Sequence, residues 1–207
     1  SAYNASTDEV MQLTEELTAF GAVYTTHLRS EFAPVLEAMD EAFQIGRHAK
    51  SPVIISHLKC AGAGNWGRSP QLLASLEHAA KTHPVGCDCY PYAASSSTLD
   101  LKQVTDAYRI TITWSTPHPE QGGRDLNEIA DEWGVSLLVA AERLQPAGAV
   151  YYGMDENDVR RILAHPLSMI GSDGLPDDPF PHPRLWGAFP RVLGHFSRDL
   201  GLFPLHT

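Results

Sequence analysis

The sequence lacks the features that identify a nucleic-acid or membrane protein. Its 15 lysine and arginine side chains form no cluster and are outnumbered by 25 aspartate and glutamate side chains, which gives a formal net charge of −10. This balance argues against binding to nucleic acid or to an anionic membrane surface. No apolar run approaches the roughly 20 residues that a membrane-spanning helix needs. We therefore expect a protein whose partner is neither a nucleic acid nor a membrane.

Cysteine is also scarce. The chain has three, an odd number that does not indicate a disulfide framework. Two of them stand in the run Cys87-Asp-Cys89, but zinc-binding pairs are usually spaced more widely and no second pair follows. We interpret all three, including Cys60, as small buried residues with reduced thiols. Such thiols are typical of a cytoplasmic protein.

The sequence does contain an alternation of β-rich runs and helical stretches. Four runs, Ala22–Thr26, Val53–Ser56, Val85–Cys89 and Leu167–Gly171, are almost continuously apolar, which is typical of strands buried on both faces of a parallel sheet. Apolar residues at helical spacing lie between them. The pattern predicts parallel βα units in an α/β fold. Helices are predicted over 7–20, 34–49, from 69 onward, over 155–164 and in part of 184–200.

The regular alternation stops in the middle of the chain. One strand, Tyr108–Trp114, and two helices, Leu126–Trp133 and Leu137–Leu144, are predicted there, and proline and glycine interrupt the rest. We interpret residues 98–150 as an insertion between the last two strands of the sheet. A complete (β/α)8 barrel has eight strands and about 250 residues. Residues 1–207 are therefore interpreted as a partial (β/α)8 TIM barrel that carries this insertion.

Three of the strands end in residues that can do chemistry. His27 and His57 close two consecutive runs and stand 30 residues apart, about one βα unit, while Asp173 follows the last run. In a barrel of this kind the carboxyl ends of all strands face one mouth. Alone, either histidine would be interpreted as an ordinary polar residue, and Asp173 as a turn residue. Together, two imidazoles and a carboxylate favour the site of a metal-dependent hydrolase.

Several motifs resemble those of a known family over nearly the whole chain. The most specific is Pro181-His-Pro-Arg-Leu-Trp-Gly-Ala-Phe-Pro-Arg-Val-Leu-Gly194. The sequence is similar to the D-aminoacylases, that is, the N-acyl-D-amino-acid deacylases of the amidohydrolase superfamily. The other matching segments are Tyr24-Thr-Thr-His-Leu-Arg-Ser-Glu31, Ile55-Ser-His-Leu-Lys59, Cys89-Tyr-Pro-Tyr92, Ile112-Thr-Trp-Ser-Thr-Pro-His-Pro-Glu120, Pro146-Ala-Gly-Ala149 and Gly171-Ser-Asp-Gly-Leu-Pro176.

The resemblance implies an activity, a cofactor and a set of site residues. The activity is zinc-dependent hydrolysis of the amide bond of small-molecule N-acyl-D-amino acids, with the acyl group and the D-side chain left open. His27 and His57 would be zinc ligands, and Asp173 would be the catalytic carboxylate that can also contact a second metal. A cationic, hydroxyl-bearing cluster suits the substrate's carboxylate. The resemblance assigns that cluster to Lys59, Tyr90, Ser96 and Arg184.

The chain also departs from the family pattern. Family members carry a His-x-His pair on the first barrel strand, a cysteine ligand on an early strand and a small β-domain, none of which this sequence contains. We therefore expect only strands five to eight of the barrel, the C-terminal half. Zinc binding is expected to be weak or absent, and the chain alone is expected to lack activity.

Two alternatives remain open at this point. The chain could be a non-catalytic half-barrel that pairs with a partner or with itself, since a homodimer would cover the open strand edges and the apolar inner face. Alternatively, a related cyclic-amide hydrolase of the same superfamily would keep the metal chemistry and change the substrate. Solution mass and metal content would distinguish an enzyme from a self-associating half-barrel.

Overall fold

The computed structural model describes residues 4–205, and this range forms two separate β-sheets with helices around them. The helices are α1 (Thr7–Thr14), α2 (Leu17–Phe20), α3 (Val35–Ala49), α4 (Ser69–Ala80), α5 (Leu126–Trp133), α6 (Leu137–Leu144), α7 (Glu156–Leu163) and α8 (Arg184–Arg191), which continues as a π-helical segment, Val192–Asp199. The strands are β1 (Tyr24–Thr26), β2 (Val53–Ile55), β3 (Val85–Cys89), β4 (Ser95–Thr98), β5 (Ile110–Ser115), β6 (Ala147–Tyr151) and β7 (Ser168–Ile170).

The first sheet is parallel and has the order β1-β2-β3-β7. Tyr24 pairs with Val53, and Val53 pairs with Val85, so the first three strands run in step. β3 pairs directly with β7, although the second sheet lies between them in sequence. The α/β fold with a parallel sheet is as predicted, and all four carboxyl strand ends lie along one edge.

Helix α3 shows how closely the helices pack on this sheet. Val35, Met39, Ala42 and Phe43 recur at helical spacing and are buried. At Gly46 a side chain would collide with Val53 of β2, so glycine allows the helix and strand to approach each other. The core continues through α4 and α7, whose buried leucines and isoleucines share one apolar cluster with β1 to β3.

The second sheet is antiparallel, with the order β4-β6-β5. It has its own apolar core, in which Ile110 and Ile112 of β5 pack with Leu126 and Ile129 of α5 and with Leu144 of α6. This sheet occupies the segment interpreted as an insertion, but it begins at Ser95 and ends at Tyr151, slightly outside 98–150.

Two local predictions were wrong. Strands β4 and β6 were missed, because β4 is Ser-Ser-Ser-Thr and β6 begins with Ala-Gly-Ala, which leaves few large apolar residues to identify a strand. The single helix predicted over 7–20 is two helices, α1 and α2, separated by Glu15 and Glu16. None of the helices in residues 4–205 combines the length and apolar character needed to cross a membrane.

Candidate active site

The structure brings His27 and His57 together. His27 follows β1 directly, His57 lies two residues after β2, and these strands are parallel neighbours. The two ring centroids are 4.2 Å apart, with the planes tilted by 53°. His57 Nε2 is in direct contact with His27 Nδ1. We call His27 and His57 the histidine pair.

His57 is held in an unusual backbone conformation. Its φ is 42°, in the left-handed region that non-glycine residues rarely adopt. Two carboxylates support it: the backbone N–H donates to Asp88 Oδ1 at 2.9 Å, and the ring Nδ1 lies 2.7 Å from Glu31 Oε1. The contact with Glu31 orients the ring so that Nε2 faces His27.

Lys59 joins the same cluster. Its Nζ lies 2.5 Å from Glu31 Oε1 and 2.7 Å from His57 Nδ1, and the side chain is buried. Burial alone would raise the pKa of Glu31, but the Lys59 ammonium and the hydrogen bond from His57 outweigh it and lower that pKa to about 2. Lys59 therefore already has an anionic partner. Glu31 was not singled out in the sequence, since nothing in its spacing links it to residues about 30 positions away.

The histidine pair has the donor chemistry that zinc prefers. Desolvation, and next the neighbouring His57, lower the pKa of His27, against the opposing effects of Glu31 and Asp173. A neutral imidazole has a lone pair free for a metal. Within residues 4–205, however, no group of three or more histidine, cysteine, aspartate or glutamate side chains could hold a metal ion. The pair thus fits two ligands of a zinc site without completing one.

A second cluster surrounds Arg184, the first residue of α8. The side chain is 1% exposed. Nη2 donates to the Ser96 carbonyl at 3.1 Å, and the guanidinium lies 4.6 Å from the centre of the Tyr90 ring. Nη1 lies 2.7 Å from Asp173 Oδ2 as a charge contact, without the alignment of a hydrogen bond.

Four polar atoms of this cluster are buried without a hydrogen-bond partner in the described part of the chain. They are the hydroxyls of Tyr90 and Ser96 and the Nε and Nη1 atoms of Arg184, and we call these three residues the arginine pocket. Burial raises the pKa of Tyr90 well above its usual value, with Arg184 opposing, so the hydroxyl stays protonated and can donate. An unpaired buried polar group costs about 1–3 kcal/mol. Such groups in a folded protein call for an explanation, and a bound anion would supply one.

Asp173 lies between the histidine pair and the arginine pocket. It contacts Arg184, and its charge acts on His27. Its φ is 48°, so a second site residue has a left-handed backbone, and strained residues of this kind cluster at functional sites. Nearby, a Cβ at Gly171 would lie 2.5 Å from Asp88 Oδ1. The segment after β7 therefore packs closely on the carboxylate that holds His57.

His182 is a buried residue of this region that sequence reasoning named only within a motif. Its Nδ1 accepts the backbone N–H of Arg184 at 2.9 Å. Burial, followed by the nearby Arg184 cation, lowers the pKa of His182 to about 4, against a backbone hydrogen bond with Ala94 that raises it. A side-chain acceptor placed just before a proline at the start of a helix is a signal for capping. The His182-Pro-Arg184 spacing could have indicated this role.

The cysteines agree with their interpretation as buried thiols. Cys60, Cys87 and Cys89 are all free and buried. Burial raises the pKa of Cys60 to about 12 and that of Cys87 to about 11. Thiols with such values are poor nucleophiles at neutral pH, and none of the three belongs to a group of metal-ligating side chains in the part of the chain that the structure describes.

Comparison with known proteins identifies the relatives. No family model matches the sequence. The chain is 52% identical over 206 residues to a D-aminoacylase of Alcaligenes xylosoxydans xylosoxydans, covering 100% of this chain and 43% of that protein. It is 47% identical to an N-acyl-D-aspartate deacylase of the same organism, covering 98% and 41%. The chain thus spans about two fifths of the length of these relatives.

Solved structures share the fold. A crystal structure of D-aminoacylase, described as defining a subset of amidohydrolases, has a TM-score of 0.93 and 54% identity, covering 97% of this chain and 42% of that one. An N-acyl-D-glutamate deacylase from Bordetella bronchiseptica has a TM-score of 0.93 and 44% identity, covering 97% and 43%. The latter was solved with zinc and a phosphonate inhibitor that mimics the tetrahedral intermediate of the reaction.

Proposed function

Because the chain belongs to the D-aminoacylase family, we propose that it forms part of a zinc-dependent enzyme that hydrolyses the amide bond of N-acyl-D-amino acids. The part corresponds to strands five to eight of the family's barrel, with the antiparallel sheet as an insertion between the last two. The chain alone is inactive in this proposal, since a catalytic zinc site needs three protein ligands and the histidine pair supplies two.

One observation carries the proposal. The arginine pocket holds four buried polar atoms without a hydrogen-bond partner in the described residues, and Asp173 links it to the histidine pair. An N-acyl amino acid has a carboxylate at one end and a scissile amide close to it. A carboxylate accepts several hydrogen bonds, and an arginine can bind it in a planar arrangement. The pocket would take the carboxylate while the amide reaches the histidine pair.

The site residues divide into two groups in this proposal. Tyr90, Ser96 and Arg184 bind the substrate carboxylate, and the N-terminus of α8 adds a favourable dipole. Lys59 keeps its predicted place in that group, although its ammonium is paired with Glu31. A substrate carboxylate would have to compete with Glu31 for this cation, whereas Arg184, although paired with Asp173 through Nη1, keeps Nε without a partner in the described residues. We therefore expect Lys59 to contribute less to binding than Arg184.

The second group consists of His27, His57 and Asp173. The two histidines would be zinc ligands, with the remaining ligands supplied by the part of the family's length that this chain does not span. Zinc bound there would supply a Lewis acid for the scissile carbonyl and would make an attacking water more acidic. Asp173, which could also contact a second metal, takes the proton of the attacking water. It then delivers that proton to the leaving nitrogen as the C–N bond breaks, giving a carboxylate and a free D-amino acid.

Complementation tests this function. The chain would be assayed on N-acetyl-D-amino acids alone and after co-expression with the N-terminal part of the Alcaligenes D-aminoacylase. We expect negligible turnover and weak zinc binding by the chain alone, and measurable turnover by the pair. Ordinary turnover by the chain alone would contradict the proposal that it is incomplete. No turnover by a correctly associated, zinc-loaded pair would contradict the assigned activity.

The surface of α8 favours a second candidate, a non-catalytic half-barrel that self-associates. Trp186 and Phe189 of α8 and Leu193 of the π-helical segment that follows are more than half exposed. Met169 is exposed on β7, an edge strand. Exposed apolar patches mark interaction sites. A dimer without zinc or activity, measured by sedimentation and metal analysis, would support this candidate over the enzyme. In either case we propose a cytoplasmic location, where the three free thiols stay reduced.

A further inference from the structure

His182 stands at the start of α8 and satisfies two of its first backbone donors. Its Nδ1 accepts the N–H of Arg184 at 2.9 Å, and its carbonyl accepts the N–H of Leu185 at 3.1 Å. Pro183, which stands between His182 and Arg184, has no backbone N–H that needs a partner. Because the first N–H groups of a helix have no partners within it, this one residue fixes where the first turn of α8 begins.

The imidazole ring is itself held firmly. It is buried, lies edge-on to Tyr92 with centroids 5.1 Å apart, and is 6.5 Å from Tyr90. Only a neutral ring with an unprotonated Nδ1 can accept the N–H of Arg184. Its lowered pKa of about 4 keeps the ring neutral near pH 7. The acceptor is therefore available under ordinary conditions.

The backbone that His182 anchors carries the guanidinium of the arginine pocket. Arg184 reaches from this point to the Ser96 carbonyl, to Asp173 and to the face of Tyr90. An arginine side chain has many rotamers and loses considerable entropy when it is ordered. A fixed backbone position at Arg184 reduces the number of positions that the guanidinium can reach. The first turn of α8 therefore restricts the direction in which Nε points.

We propose that His182 is a positioning residue, which holds the guanidinium of Arg184 in the arginine pocket by accepting the backbone N–H of Arg184. The nature of the bound molecule rests on the proposed function, in which the pocket takes the carboxylate of an N-acyl-D-amino acid. The positioning itself depends only on contacts within this chain. The two can therefore be tested separately.

The experiment compares three variants of the isolated, 15N-labelled chain. His182→Asn keeps a short side-chain acceptor that can cap a helix N-terminus, whereas His182→Leu has none. Arg184→Gln removes the guanidinium and identifies the Arg184 Nε–H resonance by its loss. Without ligand, we expect this resonance at the same position in the wild type and in His182→Asn, and shifted or broadened in His182→Leu.

Binding provides the second measurement. The dissociation constant for N-acetyl-D-leucine is determined by calorimetry for each variant. His182→Leu should displace the Arg184 guanidinium and Arg184→Gln removes it, so in both variants the ligand carboxylate loses a charge-assisted hydrogen bond. Loss of such a bond predicts that binding is weakened roughly tenfold or more. For His182→Asn we expect a change of no more than about threefold, which corresponds to a retained hydrogen bond. Rescue by asparagine would not follow if His182 only filled space.

The outcomes separate the two proposals. An unchanged Arg184 resonance and unchanged binding in His182→Leu would overturn the role of His182 and leave the proposed function intact. Equal binding by the wild type and Arg184→Gln would overturn the carboxylate pocket, and the resonance alone would then decide the role of His182. If His182→Leu does not fold, His182→Gln replaces it, because its longer side chain carries the acceptor away from the Nδ1 position. Wild-type behaviour of His182→Gln would overturn the proposal.

Discussion

Around the histidine pair, the buried polar groups of Lys59 and His57 are matched by the carboxylates of Glu31 and Asp88. In the arginine pocket, by contrast, the hydroxyls of Tyr90 and Ser96 and Nε of Arg184 have no hydrogen-bond partner within residues 4–205, and Nη1 has only its charge contact with Asp173. Both clusters lie close to Asp173, whose charge acts on both. The two clusters differ in whether other groups of the protein supply partners for their buried polar atoms.

The difference indicates two kinds of site. The histidine pair is preorganised, because partners on three strand ends fix the orientation of His57 before any ligand arrives. The arginine pocket combines Tyr90 after β3, Ser96 of β4 and Arg184 of α8, so it joins the parallel sheet to the antiparallel one. A ligand that binds only the folded state stabilises it. We therefore expect a carboxylate ligand to stabilise the junction between the sheets more than the parallel sheet itself.

The largest expected effect comes from Asp173, which lies between the two clusters and acts on both. Asp173→Asn keeps the shape but removes the proton acceptor, and general acid–base catalysis contributes roughly 10²–10⁴-fold. We expect kcat of the complemented enzyme on N-acetyl-D-leucine to fall by a factor in that range. Asp177→Asn, on the exposed part of the same loop, is the matched control. A loss of less than tenfold in Asp173→Asn would remove Asp173 from its catalytic role.

Arg184→Ala should separate the arginine pocket from the histidine pair. Loss of a charge-assisted anchor costs about 1.5–3 kcal/mol, which predicts a fall of roughly tenfold or more in kcat/KM of the complemented enzyme on N-acetyl-D-amino acids. Matched substrates whose carboxylate is an amide should be affected much less. Arg198→Ala, at an exposed arginine paired with Asp199, controls for the loss of a cation. Equal effects on acids and amides would contradict the anchor.

The sequence predicted the histidine pair better than the arginine pocket, for a physical reason. His27 and His57 follow apolar strands one βα unit apart, so the local pattern and the geometry of a parallel sheet together identify them. Ser96 and Arg184 lie in segments without a regular period, and only the family resemblance pointed to them. Glu31 and His182 gain their roles from contacts that form only when distant segments meet, as with the pairing of Lys59 and Glu31.

Gly171→Ala tests how closely the histidine pair depends on its surroundings. The new Cβ would lie 2.5 Å from Asp88 Oδ1, so the carboxylate that accepts the His57 N–H would have to move. Overpacking of this kind costs about 1–3 kcal/mol, which urea unfolding of the isolated chain would measure. Gly64→Ala, where nothing lies within 4 Å of the new Cβ, should cost less. Equal losses of unfolding free energy in the two variants would contradict the close packing of Gly171 against Asp88.

The smallest expected effect is the pH dependence that His182 gives to stability. Its pKa is about 4 in the folded chain, against an ordinary value of 6.5. As the pH falls below 6.5 the unfolded chain takes up the proton first, since in the folded chain the proton would remove the acceptor for Arg184 and place a second cation beside it. Stability from this residue is thus complete well above pH 6.5 and falls toward pH 4. Linkage predicts a loss of about 1 kcal/mol between pH 7.0 and 5.5.

His182→Asn keeps the capping acceptor and cannot titrate, so the difference between its unfolding free energies at the two pH values should be smaller than in the wild type by about that amount. The comparison cancels the contribution of other groups that titrate in this range to the pH dependence of stability, because those groups are present in both proteins. Parallel pH profiles for the two proteins would mean that burial beside Arg184 does not hold His182 neutral in the folded chain.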